Sequence, residues 1–212
     1  MKILTVGDSF TYGEELSNLN DAWPHVLGRQ IGYEVTNLGE PGSGNTRMVR
    51  NVIKNAPAHD LIVVAWSHWA RTEFADEDGV FDIWPGYSSN FHAPHPWRED
   101  LIKYYSSHHN DSYLIEQFII NVLLTQTYLK SLNKRYVMLS AFGLKELKQY
   151  TGNEQLNLQM IDHAHYPGWP DTTMMEWAWK CPKGPRGHFL ELGHSIVANK
   201  IYEHIRNLSW VS

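Results

Sequence analysis

The fold is inferred from one stretch near the start of the chain, Val6-Gly7-Asp8-Ser9-Phe10-Thr11-Tyr12-Gly13. It follows Lys2-Ile3-Leu4-Thr5-Val6, an apolar and β-branched run that predicts a buried first strand. Gly7 permits a sharp turn, and Asp8 and Ser9 are residue types that cap helices, so a helix is expected directly after them. At such a junction the positive end of the helix dipole favours an anion beside Ser9. The pattern predicts a nucleophilic serine, and a plain helix cap is the structural alternative.

The far end of the chain contains a second informative stretch, Gly187-His188-Phe189-Leu190-Glu191-Leu192-Gly193-His194. Apolar residues follow it at helical spacing, which predicts a final helix over about 190–208. His188 lies just before this helix, and His194 lies in its first turn. Either imidazole can act as a general base for Ser9, because proximity in the folded chain matters and separation along the sequence does not.

The two stretches resemble the first and last sequence blocks of the GDSL, or SGNH, hydrolase family. The Gly-Asp-Ser turn of the first block is matched by Gly7-Asp8-Ser9, and the histidine and helix-starting glycine of the last block are matched by His188 and Gly193. The resemblance implies a three-layer α/β/α sandwich with a parallel, flavodoxin-like sheet. It also implies Ser9 as nucleophile and His188 as base, since His194 comes after the glycine. No cofactor is implied.

Strand and helix patterns alternate along the chain independently of that resemblance. Further strands are predicted at 33–38, 60–66 and 135–140, and helices at 23–28 or 23–32, 46–55 and 113–132. This alternation is typical of a parallel doubly wound sheet, in which ligands bind at the carboxyl ends of the strands. Ser9, the glycine-rich loop around Gly42, and Ser67 are all at strand ends, so we expect them to meet in one crevice.

An oxyanion hole is the next part that the resemblance implies. It assigns one backbone N–H donor to Ser9 and one to Gly42, with Gly39 as the alternative register. The third family block, Gly-x-Asn-Asp, is not matched, because Ser67-His68-Trp69 stands in its place. The Ser67 hydroxyl, the His68 ring or the Asn45 amide of the neighbouring loop is expected to replace the missing asparagine.

The acid that orients the histidine is also missing from its family position. Three residues before His188 the family has an aspartate, and this chain has Pro185. The orienting acceptor is then either a backbone carbonyl or an acid from elsewhere, with three upstream candidates: Asp162, Asp171 and Glu176. Glu191 and His194 form a Glu-x-x-His that mimics the family spacing, but that pair would move the histidine out of register with Gly193.

Composition indicates one globular domain spanning 1–212. The chain is 42% hydrophobic and 19% charged, as expected of a protein with a sizeable core. A formal net charge of −5 with 18 scattered basic residues argues against nucleic acid as a partner. The sequence contains no run of about 18 apolar residues, so no membrane span is predicted. No signal-peptide pattern opens the chain, so a cytoplasmic protein, or one released without a signal peptide, is expected. The sequence leaves the oligomeric state open.

Two stretches depart from the regular pattern. An aromatic-rich insertion is predicted at about 71–110 and an irregular stretch at about 151–186, with a short helix at 145–150 between them. We interpret the first as a lid or recognition element over the carboxyl ends of the strands. Aromatic faces stack on sugar rings or acyl chains, and they also pack on one another.

The 12 histidines raise the question of a metal site. His163-Ala164-His165 and the His92/His95 pair have short spacings, but no cysteine pair or His-Glu-x-x-His helix accompanies them. We therefore expect no metal.

Together these patterns predict a serine hydrolase that cleaves a carboxylic ester of a small molecule or a glycan. The alternative is a catalytically impaired protein of the same fold that binds a glycan or a protein, because two of the four family blocks are degraded. Nucleotide binding is disfavoured, since the loop at Gly42 lacks a Walker lysine.

Overall fold

The computed structural model describes residues 1–77, 79–84, 96–143 and 158–211, and within them a parallel four-stranded sheet lies at the centre. Its strands are β1 (Lys2–Gly7), β2 (Glu34–Gly39), β3 (Leu61–Trp66) and β6 (Arg135–Ser140), in the spatial order β2-β1-β3-β6. Every residue of β3 is buried, as expected of a central parallel strand that is covered on both faces.

Helices cover both faces of this sheet. On one face lie α2 (Trp23–Ile31) and α7 (Glu191–Asn207), and on the other lie α3 (Asn45–Asn55) and α5 (Asp111–Ser131). Successive strand residues point to opposite faces, so Ile3 and Val63 pack with α2 and α7, while Leu4 and Val64 pack with α3 and α5. The predicted three-layer α/β/α sandwich is therefore confirmed.

The predicted elements agree with the observed ones to within one or two residues. The strand expected at 33–38 is β2, and the helix expected at 113–132 is α5. The first long helix continues to Ile31 and ends at Gly32, whose φ of 71° is left-handed. The helix predicted at 145–150 lies outside the described residues.

The described part of the 71–110 insertion is more regular than predicted. It forms an antiparallel hairpin, β4 (Thr72–Asp76) and β5 (Gly79–Ile83), and a helix, α4 (Pro96–His108). Arg47 of α3 binds Asp82 of the hairpin through Nη2 at 3.0 Å, and Arg50 binds Glu73 at 2.6 Å. These two ion pairs join the hairpin to α3, and both carboxylates have little contact with solvent.

The remaining described elements are short. They are α1 (Ser9–Tyr12), α6 (Met174–Trp177) and three 3₁₀ turns at Leu19–Asp21, Ala56–Ala58 and His163–His165. A search of the described residues finds no helix that is both long and apolar enough to cross a membrane.

Candidate active site

Ser9 is placed by the junction of β1 and α1. Asp8 caps the short helix, with Oδ1 accepting the Phe10 N–H at 3.1 Å. Gly7 is required at the turn, because a Cβ there would lie 2.0 Å from the Thr11 hydroxyl oxygen. Ser9 is only 4% exposed, but it lines a cavity of about 360 Å³.

His188 reaches the same cavity from the segment that precedes α7. Its Nε2 lies 2.8 Å from Ser9 Oγ, although the two residues are 179 positions apart. The imidazole packs against the Phe10 ring at a centroid distance of 4.8 Å. The structure thus brings together the two residues predicted as nucleophile and base.

Glu15 holds the other side of the imidazole. Its Oε2 lies 2.9 Å from His188 Nδ1 and also accepts the His188 backbone N–H at 3.0 Å. Its Oε1 accepts the Arg186 backbone N–H at 2.8 Å. With Nδ1 donating to the carboxylate, Nε2 of the neutral ring carries no proton and accepts the Ser9 hydroxyl. The three residues form the hydrogen-bond chain of a serine, histidine and acid triad.

The ionisation of Glu15 follows from these contacts. Burial raises the pKa of its carboxyl group, but the hydrogen bonds from the Arg186 and His188 peptides and from the His188 ring outweigh burial. The net result is a pKa below the ordinary value of 4.5. Glu15 is therefore the charged partner of His188 at neutral pH.

An unusual backbone brings Glu15 to this position. Gly13 ends α1 with a φ of 93°, and Glu15 itself has a φ of 71°, a left-handed conformation that costs a non-glycine residue about 1 kcal/mol. The carboxylate also lies against Gly184, where a Cβ would be 2.6 Å from Glu15 Oε1. Gly13 thus ends the helix just before Glu15, and the distant Gly184 leaves room for the Glu15 carboxylate.

The acids named from sequence lie elsewhere. Asp162 binds Tyr136 and Lys130, Glu176 completes the capping box of α6 with Thr173, and Glu191 is exposed on the first turn of α7. Asp171 is exposed in the loop before α6. The family pattern missed Glu15 because it places the acid just ahead of the histidine. The available signal was the acidic pair that follows Gly13.

A second acid, Glu14, lies on the cavity side of His188. One of its carboxylate oxygens is 3.5 Å from Nε2 of the imidazole, and the other binds the Arg186 guanidinium. Glu14 and Arg186 both line the cavity of Ser9. The cavity therefore carries charges of both signs near the serine hydroxyl.

Ser9 and Gly42 are the two residues predicted to supply backbone N–H donors to an oxyanion. Both line the cavity, and Gly42 has a φ of 82°, the left-handed conformation that favours glycine. Neither peptide N–H donates to a backbone acceptor within the described part of the chain. These two N–H groups are the candidates for binding an oxyanion in the cavity.

The side chains expected to replace the family asparagine make other contacts. The Ser67 hydroxyl donates to Asp8 Oδ2 at 2.8 Å, and the Ser67 backbone N–H donates to the Asn45 amide oxygen at 3.0 Å. The Asn45 amide nitrogen donates to the His68 carbonyl at 3.1 Å. His68 accepts the Ala70 N–H through Nδ1 and lines two adjoining cavities. These contacts assign Asn45 and Ser67 to the framework of the loop after β3.

The rival base, His194, does not reach Ser9. It has no exposed surface, and its Nδ1 accepts the Trp23 N–H at 3.1 Å, which fixes the start of α2. Burial, with a smaller contribution from the charge of His188, lowers the pKa of His194 to about 3. His194 is a neutral core residue at neutral pH.

The described histidines considered as metal ligands, His163 and His165, contact other side chains. His165 lies 3.0 Å from Asp162 and stacks on Tyr136, whereas His163 meets the Trp169 ring edge-on. A search of the residues described finds no group of three ligating side chains placed to hold a metal ion. His92 and His95 lie outside the described residues.

The sheet order, the three layers and the position of Ser9 at the end of β1 define an α/β/α protein of the SGNH-hydrolase fold. Solved structures agree with this class. The chain is similar to the psychrotrophic esterase EstA from Pseudoalteromonas sp., with a TM-score of 0.58, 11% identity and 98% of each chain covered. It is also similar to the lipase/acylhydrolase from Enterococcus faecalis, with a TM-score of 0.52, 16% identity and coverages of 98% of this chain and 96% of that one.

A third similar structure belongs to a longer protein. The acetyl xylan esterase Est2A from the rumen bacterium Butyrivibrio proteoclasticus aligns with a TM-score of 0.53 and 14% identity. The alignment covers 99% of this chain and 64% of that chain. Likenesses at this level of identity show a shared fold.

By sequence, the chain belongs to the family of unknown function DUF6071, which matches residues 12–212. The matched region contains Glu15 and His188, and Ser9 lies three positions before it. No curated protein matches the chain in sequence.

Proposed function

We propose that this protein is a serine hydrolase that cleaves carboxylic esters. The proposal is carried by one observation, the continuous hydrogen-bond chain from the Ser9 hydroxyl through the His188 imidazole to the Glu15 carboxylate, with distances of 2.8 and 2.9 Å. Such a chain activates an otherwise weak nucleophile, because the base accepts its proton while the acid stabilises the resulting imidazolium.

The reaction runs in two halves. Ser9 Oγ attacks the ester carbonyl carbon while His188 Nε2 takes its proton, and the carbonyl oxygen becomes an oxyanion facing the N–H groups of Ser9 and Gly42. His188 then protonates the departing alkoxide, which leaves as an alcohol and creates an acyl-serine. Water then attacks the acyl carbon as it gives a proton to His188, and His188 returns that proton to Ser9 Oγ when the bond between Oγ and the acyl carbon breaks and the carboxylic acid leaves. Glu15 stays ionised throughout, and each oxyanion donor contributes about 10²- to 10³-fold in rate.

The walls of the cavity indicate the kind of ester. Trp84, Phe142 and Met175 line it together with charged side chains, and it adjoins two cavities of about 320 Å³ each. An aromatic and polar lining suits a small acyl group on a polar alcohol such as a sugar. The acetyl xylan esterase among the similar structures supports this class of substrate.

The test is hydrolysis of p-nitrophenyl acetate and butyrate by the wild type and by the Ser9→Ala and His188→Ala variants. We expect turnover by the wild type and a loss of at least about 10³-fold in kcat in either variant. A fluorophosphonate should label the wild type and not Ser9→Ala. Turnover that survives Ser9→Ala would reject the mechanism. A folded wild type that neither turns over nor reacts would instead favour a binding module of the same fold.

A further inference from the structure

Arg71 connects the two chain segments that carry the proposed oxyanion donors. It is the last residue of the loop after β3, where its N–H closes a turn onto the His68 carbonyl at 3.0 Å. Its Nη1 lies 3.3 Å from Asp8 Oδ2 and 3.4 Å from the Ser43 carbonyl oxygen. Asp8 immediately precedes Ser9, and Ser43 immediately follows Gly42. One nitrogen atom therefore contacts both segments, through the Asp8 side chain on one and the Ser43 carbonyl on the other.

The guanidinium is held in a defined place. Its central carbon lies 4.5 Å from the centroid of the Trp84 ring and 5.2 Å from that of Phe142. The side chain is only 8% exposed, yet it lines the cavity of Ser9. Stacking on two aromatic faces limits the movement of a planar cation and keeps most water away from it.

The positive charge of Arg71 also lies beside a buried carboxylate, that of Asp8. Asp8 has no exposed surface. It is the residue immediately before Ser9, whose N–H is one of the two proposed oxyanion donors. A buried negative charge there opposes the formation of an oxyanion at the same peptide, unless a cation offsets it. Arg71 forms an ion pair with this carboxylate at 3.3 Å.

We propose that Arg71 is the positioning residue of the oxyanion site in this chain, which lacks the asparagine of the third family block. It fixes the Ser9 and Gly42 peptides relative to one another, and its charge offsets Asp8 when the oxyanion forms. This inference rests on the proposed function. It predicts an effect on the transition state, where the oxyanion exists, and little effect on binding of the uncharged substrate.

The experiment compares Arg71→Gln and Arg71→Lys with Arg50→Gln on p-nitrophenyl acetate. Arg50 is a matched control, because its guanidinium also pairs with a carboxylate, that of Glu73, but it is not among the residues that line the cavity. We expect kcat to fall about 100-fold in Arg71→Gln, as for loss of one oxyanion donor, with KM within about twofold of the wild type. Arg71→Lys keeps the positive charge but loses the planar guanidinium with its several N–H donors, so its kcat should fall about tenfold.

A trifluoromethyl ketone gives a second measurement, because Ser9 adds to it to form a stable oxyanion. Its inhibition constant should rise in parallel with the loss of kcat. The result that overturns the inference is a folded Arg71 variant with kcat within twofold of Arg50→Gln, or one whose loss is entirely in KM. If Arg71→Gln fails to fold, Arg71→Lys is judged by the same two criteria. A wild type without turnover or labelling would overturn the proposed function itself, whereas active wild type and Arg71 variants would overturn only the role of Arg71.

Discussion

The Glu15 carboxylate lies 2.9 Å from Nδ1 of His188, and it comes from the segment that follows α1, the short helix that begins with the candidate nucleophile Ser9. Ser9 and Glu15 are six residues apart, so a single turn of chain supplies both ends of the hydrogen-bond chain, and His188 enters between them. In the family pattern the acid precedes the histidine, where this chain has Pro185. In this chain Glu15, an acid from a different part of the sequence, occupies the position beside Nδ1 of the imidazole.

Replacing Glu15 with glutamine tests this arrangement directly. Glutamine has nearly the same shape but no charge, so it neither stabilises the imidazolium nor enforces the tautomer that leaves Nε2 free to accept a proton. We expect kcat on p-nitrophenyl acetate to fall by about 10²- to 10⁴-fold. Glu191→Gln is the control, because that residue is exposed and belongs to the rival Glu-x-x-His spacing. Equal activity in the two variants would show that another group orients His188.

The lowered pKa of Glu15 predicts a feature of acid unfolding. The folded-state pKa lies below the ordinary value of 4.5, so the unfolded chain binds more protons in acid. The stabilising contribution of Glu15 is present above about pH 4.5 and is lost as the pH falls through the folded-state pKa. Urea unfolding of Glu15→Gln should therefore show a shallower loss of stability below pH 4.5 than the wild type. Parallel curves would contradict the assignment of this charge.

Gly184 offers a way to disturb the acid without replacing it. A Cβ at this position would lie 2.6 Å from Glu15 Oε1, and the carboxylate cannot move without giving up its three hydrogen bonds. Gly184→Ala should lower kcat at least about tenfold while the protein remains folded. Gly143→Ala is the matched control, since a Cβ at that position would have no atom of the described residues within 4 Å. A fully active Gly184→Ala would mean that Glu15 tolerates displacement.

The contrast between Ser9 and Glu15 shows what the sequence can and cannot predict. The buried strands are predictable because parallel strands are apolar runs, and Ser9 and His188 are recognisable because local motifs surround them. Glu15 depends on a left-handed backbone at its own position and on contact with a segment more than 170 residues away. Neither a local pattern nor composition encodes that contact. The role of Arg71 is not predictable from sequence for the same reason, because its partners Asp8 and Ser43 come from two other segments of the chain.

The pKa of His194, the rival base, predicts how the stability of the protein depends on pH. Its pKa is lowered to about 3 by burial, so between that pH and about 6.5 the unfolded chain carries a proton that the folded protein does not. Stability should rise with pH across this window, by at most about 1.4 kcal/mol per pH unit from this residue. His194→Gln should flatten that rise between pH 4.5 and 6.5 in urea unfolding.

The same variant has a kinetic readout. At pH 8 His194→Gln should keep kcat within about threefold of the wild type, because the residue supports the Trp23 peptide and does not reach Ser9. His188→Ala is the comparison. If His194→Gln were as inactive as His188→Ala while remaining folded, the base would have to be reassigned.

Asn45 distinguishes a framework residue from an oxyanion donor. It is 2% exposed, accepts the Ser67 N–H and donates to the His68 carbonyl. Asn45→Ala leaves a buried N–H without its acceptor, which should lower the free energy of unfolding by about 1 to 3 kcal/mol. Asn55→Ala, which removes one hydrogen bond from the Asn55 side-chain nitrogen to the Asn51 carbonyl at the far end of α3, should cost less. A direct oxyanion donor would give the opposite pattern, an unchanged unfolding free energy with kcat lower by about 10²- to 10³-fold. Denaturation and p-nitrophenyl acetate turnover of the same two preparations therefore separate the two roles.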